Sequence, residues 1–581
     1  MRLIKLSDYV ICFLEAHHVG SVFGYQGSSI AHTVDSISRS NIRFVEMRHE
    51  QAAAFAACGY AIQKGVPGIA LACSGPGALN LISGIANAWY DSIPCLFITG
   101  QVSRSGIHQG SAIRQLGFQE TDITSIVAPI SKYAVTVTDP QMIRYQLEKA
   151  WSIMCNGRKG PVLIDIPHDV QAAMVDEQSL PFFTESKEAF SGNDSVAKLW
   201  CEKLSNAERP LLLLGGGAAK LRGTGLLEAF CERTNIPVVS SYLGKDILNN
   251  EDVHYVGTIG AYGNRLANLA IHYSDLVLTL GSRLDGRQTG DNIEAFAANA
   301  EVFCVDVDRG ELAKLPHRTN VCCMEAEEFL RHVMLHIGNA KSIWLSQLNF
   351  WRNELAQDKE YPALADGVNP NRFFRMLSKQ MSGCSITTDV GQNQIWTNTS
   401  TVLSKGGRLI QSGGLGSMGF SLPASIGVAE AEPQKVVLSI SGDGGFQMNM
   451  QELQTVATNC YAVHSYIMNN HSLGLIRVYQ EKALKNNYIG SVDGFGNPNY
   501  ETIAKAYGIP YYHLYTDEDC DMLMPEICSI HGACLVEVEI SRESVTFPEP
   551  AYKMPVYCQH PEIPDSVIRK FEESIGYERE D

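Results

Sequence analysis

Between residues 436 and 470 the chain spells out one complete strand–helix–strand unit. An apolar, β-branched run over 436–440 breaks into Gly442-Asp443-Gly444-Gly445, a helical pattern follows over about 447–458, and a second apolar run over 462–468 ends in Asn469-Asn470. Such units are nearly always right-handed with parallel strands. Asp443 and Asn470 are therefore expected side by side at the carboxyl ends of neighbouring strands, where open α/β sheets bind ligands. A carboxylate and an amide oxygen are hard ligands suited to Mg²⁺, which takes few protein oxygens and completes its shell with substrate phosphates. The glycines let backbone approach a phosphate, and the helix amino end attracts it. A lone Gly-Asp-Gly is most often a turn; Asn470, 27 positions beyond Asp443, is what lifts this one above a turn.

The rest of the chain bounds the setting. At 581 residues it is too long for one core and divides into several domains. The net charge of −17 argues against a nucleic-acid surface. The first twenty residues mix apolar positions with Lys5, Asp8 and Glu15, which fits an amphipathic helix and not a signal peptide. No apolar run reaches the roughly 18 residues of a membrane span. Sixteen scattered cysteines without paired spacing read as reduced thiols of a cytoplasmic protein, and adjacent Cys322-Cys323 as packing.

Short apolar strands alternate with helices through most of the sequence, the signal of doubly wound parallel sheets. A first α/β domain is expected over 1–180, with strands at 21–25, 43–47, 68–73, 94–100 and 161–166. A polar linker covers 184–194. A second α/β domain spans 195–340, with strands at 210–214, 237–240, 276–280 and 302–307. A charged helical stretch over 344–366 leads to a third domain at 367–545, with strands at 385–388, 408–411, 436–440, 461–468 and 533–539. The tail, 546–581, reads as a surface wrap. The first and third domains share size and pattern, but no sequence repeat relates them.

The Gly-Asp-Gly and Asn-Asn pair resembles the thiamine diphosphate motif, and other segments agree. Glu50 stands in FVEMRHEQAAAF, where a strand hands over to a helix, as does the activating glutamate of thiamine diphosphate enzymes. Alone it is a helix-terminus carboxylate; in the family it hydrogen-bonds the aminopyrimidine ring, which then takes the thiazolium proton. Gly75-Pro76-Gly77-Ala78-Leu79-Asn80 is similar to GPGATN, and Gly24-Tyr25-Gln26-Gly27 to GYPG. Across about residues 5–545 the chain resembles the acetolactate synthase large subunit. Phe118-Gln119-Glu120 matches its FQE, and GGLGSMGF over 413–420 its GGLGAMGF, with Met418 in the place of the residue that bends the cofactor. Val390-Gly391-Gln392-Asn393-Gln394 resembles VGQHQ, with Asn393 for His. The resemblance implies a thiamine diphosphate site of Tyr25, Glu50, Pro76, Asn80, Gly391, Gln392, Asn393, Gly416, Met418, Gly442–Gly445, Asn470, Ser472 and Leu473. Asp443, Asn470 and Ser472 would take Mg²⁺.

The middle domain bears on FAD, which this family holds as a structural group. Gly215-Gly216-Gly217 ends a strand, and 281–290 resembles GVRFDDRVTG. The resemblance assigns Gly215, Gly216, Gly217, Gly281, Arg283, Asp285 and Asp306 to FAD, and Arg287 to an acceptor carboxylate, which an arginine fork binds bidentately. Four departures fall on the substrate side: His168 for Lys, Tyr479 for Trp, Tyr262 for Met, and about six extra residues within 104–117.

The implied activity decarboxylates pyruvate and transfers the two-carbon unit to a second carbonyl, giving 2-acetolactate, a step of branched-chain amino acid biosynthesis. Glu50, Phe118, Gln119, His168 and Arg287 are the expected catalytic set. The departures leave open a bulkier ketone or aldehyde acceptor, such as a keto sugar; a non-catalytic cofactor-binding scaffold is a third, remote reading. Because the family splits its cofactor site between subunits, a homodimer or dimer of dimers is expected, with a regulatory subunit neither implied nor excluded.

Overall fold

Three six-stranded parallel sheets organise the molecule in a computed structural model, which describes residues 3–108, 110, 112–185, 194–338, 342–355, 366–551 and 553–578. Most of the expected linker and residues 356–365 of the charged helical stretch lie outside that set; the helix Trp344–Glu354 lies within it. The first sheet runs Arg43–Glu46, Ser21–Gly24, Gly68–Ala72, Cys95–Gln101, Val162–Pro167, Tyr133–Thr136. The third runs Arg408–Gln411, Ser385–Thr388, Val437–Gly442, Val463–Asn469, Cys534–Glu539, Tyr511–Leu514. Numbered within each sheet by chain order, both read 2-1-3-4-6-5. The two domains are thus a structural repeat that the sequence does not display. The middle sheet reads 3-2-1-4-5-6, the order of dinucleotide-binding folds.

Central strands such as Gly68–Ala72, Pro210–Leu214 and Val463–Asn469 are buried along their whole length, because helices cover both faces. In these three sheets the strands that the pattern did not single out, Tyr133–Thr136, Tyr255–Thr258, Asn320–Cys323 and Tyr511–Leu514, all lie at edges. An edge strand of a parallel sheet keeps polar residues and lacks the continuous apolar run. Cys322 faces the middle domain's core while Cys323 turns to the opposite face.

Two expectations need correction. The helix after Gly442 does not begin near 447. It begins at Asp443, runs to Asn449, tightens into a 3₁₀ turn at Met450–Glu452 and resumes at Leu453–Asn459. The glycines suggested a loop, yet Gly444 and Gly445 lie in the helix; Gly445 is required there because it sits against the Asp389 carboxylate, where any side chain would collide. The tail is also more than a surface wrap. Its helix Asp565–Ser574 buries Phe571 against Tyr273 and Trp351, and Tyr273 donates to Glu572 at 2.7 Å.

A helix–helix seam joins the first and third domains. The helix Glu50–Lys64, buried from Ala52 to Ala61, packs on the buried helix Ser421–Ala431. Helices apolar on every side need such complete cover. The axes come close because Gly59 meets the Ala424 carbonyl and Gly427 the Ala56 carbonyl, positions with no room for a Cβ. Among the described residues no helix is long and apolar enough to cross a membrane.

Candidate active site

In the third sheet the strand order reverses between Ser385–Thr388 and Val437–Gly442, and the residues expected at the diphosphate gather at their carboxyl ends. Asp443 is 2% exposed; the Gly444 amide donates to its Oδ1 at 2.9 Å and Asn497 Nδ2 to its Oδ2 at 3.0 Å. Burial pushes its carboxyl up to about 6, against those hydrogen bonds. A cation is the natural partner for a carboxylate so placed. Gly442 pairs with Met468 across the two strands, so Asp443 and Asn470 leave adjacent tips, as the sequence predicts. Asn497 also donates to Asn469 Oδ1 at 2.7 Å, bridging the tips. Asn470 Oδ1 accepts from the Ser472 amide at 3.2 Å and hydroxyl at 3.3 Å, and its Nδ2 donates to Gln392 Oε1 at 2.8 Å. Gln392 in turn donates to the Ser544 carbonyl at 3.0 Å, so its side chain is a brace behind Asn470. Asn393 turns inward to the Asp389 carbonyl at 2.8 Å. Gly391 caps the helix Gln392–Ser400 with a φ of 133°, and Leu473 and Met418 close over Gly444.

The segment carrying Gly416 and Met418 is pinned at both ends by carboxylates that sequence reading missed. Asp91 accepts the Gly413 amide at 2.9 Å and the Gly414 amide at 2.6 Å. Asp389 accepts the Gly419 amide at 3.1 Å and the Ser421 amide at 2.7 Å. Burial pushes both carboxyls up to about 6. Their partners lie up to 323 residues away, and the only local sign is a carboxylate closing an apolar element.

The first sheet reverses between Ser21–Gly24 and Gly68–Ala72, and a second group gathers there. Glu50 opens its helix, half-buried, and Asn80 Nδ2 donates to its Oε2 at 2.9 Å. Gly77 packs beside the same carboxylate. Pro76 starts the helix Pro76–Asn80, exposed, and Tyr25 is also exposed. Gln119 holds a left-handed φ of 66° against Gly75, while Phe118 is 86% exposed. Glu120 anchors this loop by accepting the Leu116 amide at 2.7 Å and the His108 amide at 2.6 Å. Among the described residues no hydrogen bond joins Glu50, Asn80 or Gln119 to the diphosphate group of the same chain. His168 stands apart from both, its ring 4.7 Å from His32. Tyr479 is exposed on the helix Gly474–Ala483.

The middle sheet reverses between Pro210–Leu214 and Leu276–Leu280, where a cavity of about 460 Å³ opens toward all three domains. Gly216, Gly217, Gly281, Arg283, Asp285, Arg287, Tyr262 and Asp306 line it. Gly215 does not; it abuts the Gly281 carbonyl with no room for a Cβ, so loop-to-loop packing accounts for that glycine. Arg283 pairs with Asp285 at 3.0 Å, and Asp285 caps the helix Gly286–Thr289. Burial raises the carboxyl of Asp306, which accepts the Asp308 amide at 2.9 Å. Arg287 lies 5.3 Å over the Tyr242 ring and donates to Gln394 at 3.4 Å. Volume, sheet order and the mixed charges of the wall fit a dinucleotide-sized ligand.

Family models match along the chain. The thiamine pyrophosphate enzyme N-terminal TPP binding domain matches residues 4–126, the central domain 198–333 and the C-terminal TPP binding domain 389–538. The chain is 32% identical over 548 residues to the acetolactate synthase isozyme 2 large subunit of Escherichia coli (strain K12), covering 93% of this chain and 96% of that one. It is 34% identical over 553 residues to the acetolactate synthase of Arthrospira platensis, covering 92% and 94%. Against the chloroplastic acetolactate synthase 2 of Nicotiana tabacum the identity is 33% over 562 residues, covering 94% and 83%.

Proposed function

The chain belongs to the thiamine pyrophosphate enzymes, in the acetolactate synthase family, and from that premise we propose that it converts two molecules of pyruvate to 2-acetolactate and CO₂. The observation that carries the reading is the convergence of Asp443, Asn470 and Ser472 at one switch point and of Glu50 with Asn80 at another. Bound thiamine diphosphate supplies a nucleophilic carbon and an electron sink for decarboxylation. Asp443, Asn470 and Ser472 would hold Mg²⁺ on the diphosphate, and the amino end of the Asp443 helix would favour the same anion. Glu50 would share a proton with the pyrimidine nitrogen, its carboxylate steadied by Asn80. Met418 would wedge the cofactor into a bent form. Phe118 and Gln119 would wall the donor pocket, and Arg287, with donors beyond its bond to Gln394, would bind the acceptor's carboxylate.

FAD is proposed for the three-domain cavity, on its sheet order and lining. A division into domains at 1–180, 195–340, 367–545 and tail 546–581 is proposed, supported by the presence of one six-stranded sheet in each of the first three. The cofactor halves are proposed to meet across a homodimer or dimer of dimers: apolar Tyr25, Leu79 and Phe118 stand exposed around one half, Leu415, Met448 and Ile476 around the other. Sixteen free cysteines fit a reducing cytoplasm.

The test is turnover of pyruvate by the purified protein with thiamine diphosphate and Mg²⁺, with product identification. 2-Acetolactate and CO₂ are expected, and both should vanish in Glu50→Gln. Release of CO₂ without acetolactate would overturn pyruvate as acceptor and favour a bulkier carbonyl.

A further inference from the structure

Glu452 has no exposed surface and lies on the turn between the helices Asp443–Asn449 and Leu453–Asn459. It faces the other domain. Its Oε1 accepts the Arg48 amide at 2.9 Å, and the His49 amide also points at it; its Oε2 accepts the Thr455 hydroxyl at 2.8 Å. Neighbours extend the grip. The Thr455 hydroxyl reaches the Glu46 carbonyl at 3.4 Å, and Asn449 Nδ2 reaches Gln51 Oε1 at 3.3 Å. These contacts land on residues 46, 48, 49 and 51. They bracket Glu50 on the turn between the strand Arg43–Glu46 and the helix Glu50–Lys64.

The amides that enter a helix have no partner within it. Here a carboxylate from a different domain takes them. Burying a carboxylate to satisfy two amides is costly where a neutral acceptor would serve, so its fixed geometry needs a reason beyond satisfying them. That geometry is the orientation of the next side chain. Glu50 must present its carboxylate toward Asn80 and the pyrimidine half-site, and a rotation of the turn by a few tens of degrees would aim it elsewhere.

We propose that Glu452 is a positioning residue for Glu50, fixing the turn at 47–49 so that the Glu50 carboxylate stands ready for the pyrimidine ring. The proposal rests on the reading of Glu50 as activator and goes beyond it. The segment that grips Glu50 begins at Asp443. One chain therefore ties a pyrimidine half-site to a diphosphate half-site, which in a two-fold dimer serve different cofactor molecules.

The experiment compares Glu452→Ala, Glu452→Asp and Glu452→Gln in the full-length protein, with Glu50→Gln as reference. It measures the hydrogen–deuterium exchange rate at the thiazolium C2 of bound thiamine diphosphate, the cofactor's Kd and the thermal midpoint. Glu452→Ala should slow exchange by about tenfold or more, the usual effect of removing a residue that orients a catalytic group. Glu452→Asp, too short to reach the Arg48 amide, should slow it as well, and it keeps the test decisive if the alanine variant does not fold. Glu452→Gln retains an acceptor oxygen and should restore most of the rate. A lower thermal midpoint in the aspartate or alanine variant with an unchanged exchange rate per bound cofactor would overturn the proposal, because an anchor without a positioning role moves only stability. Unchanged exchange in Glu50→Gln would instead overturn the assignment of Glu50.

Discussion

Asp389 shows how much of this site is built from single buried charges. Desolvation raises its carboxyl to about 6, although the Ser421 and Gly419 amides pull the other way. An acid whose folded pKa exceeds its unfolded value adds stability that is complete below the unfolded value, 3.8, and lost as pH rises through about 6. Asp389→Asn has no such slope. Relative to the parent, its unfolding free energy should rise by about 3 kcal/mol between about pH 4 and pH 6, read from paired thermal midpoints. A constant offset across that range would refute the assignment. Asp389 and Asp91 were not legible in the sequence, whereas Asp443 and Asn470 were, and Glu50 through the family resemblance. The latter sit in short motifs whose chemistry is local. The former are defined by amides that arrive from elsewhere in the fold.

At the scale of elements, the seam between the helices Glu50–Lys64 and Ser421–Ala431 decides how the two cofactor-binding domains meet. Gly427 is a test of which force governs it. Alanine is favoured over glycine in a helix by about 1 kcal/mol. Yet a Cβ at 427 would enter the Ala56 carbonyl, and overpacking of this kind costs about 1–3 kcal/mol. Gly427→Ala should therefore lower the thermal midpoint, and with it the affinity for thiamine diphosphate, since Glu50 begins one of the two helices. A raised midpoint would mean that the helices can separate freely. The sequence pattern located the central strands, whose apolar runs are continuous. It passed over four of the six edge strands, whose runs are short or interrupted by polar residues, and it placed the start of the Asp443 helix about four residues late because glycines mimic a loop.

For the whole molecule the decisive matter is where the two cofactor halves meet. Glu50 and Asp443 belong to domains with the same 2-1-3-4-6-5 strand order, each at its own switch point, with no hydrogen bond among the described residues between the two groups of one chain. If each site draws one half from each of two chains, inactive Glu50→Gln and Asp443→Asn proteins should complement each other. Random exchange of subunits makes half of the dimers mixed, each with one intact site of two, so activity should return to about a quarter of the parent's. Assays of the separate and remixed proteins read this directly; no recovery after proven exchange would place a complete site within one chain.

The amino-acid sequence by itself determined the α/β class, the three blocks and the placing of Asp443 and Asn470 at neighbouring strand ends, while Glu50 stood out only through the family resemblance. Periodicity and motif spacing carry that information because they act over a few residues. Only the tertiary structure decided that the outer domains share one topology, that Asp91 and Asp389 hold the Met418 segment, and that Glu452 grips the turn before Glu50. Those relations join residues tens to hundreds of positions apart, and burial alone gives their charges a role.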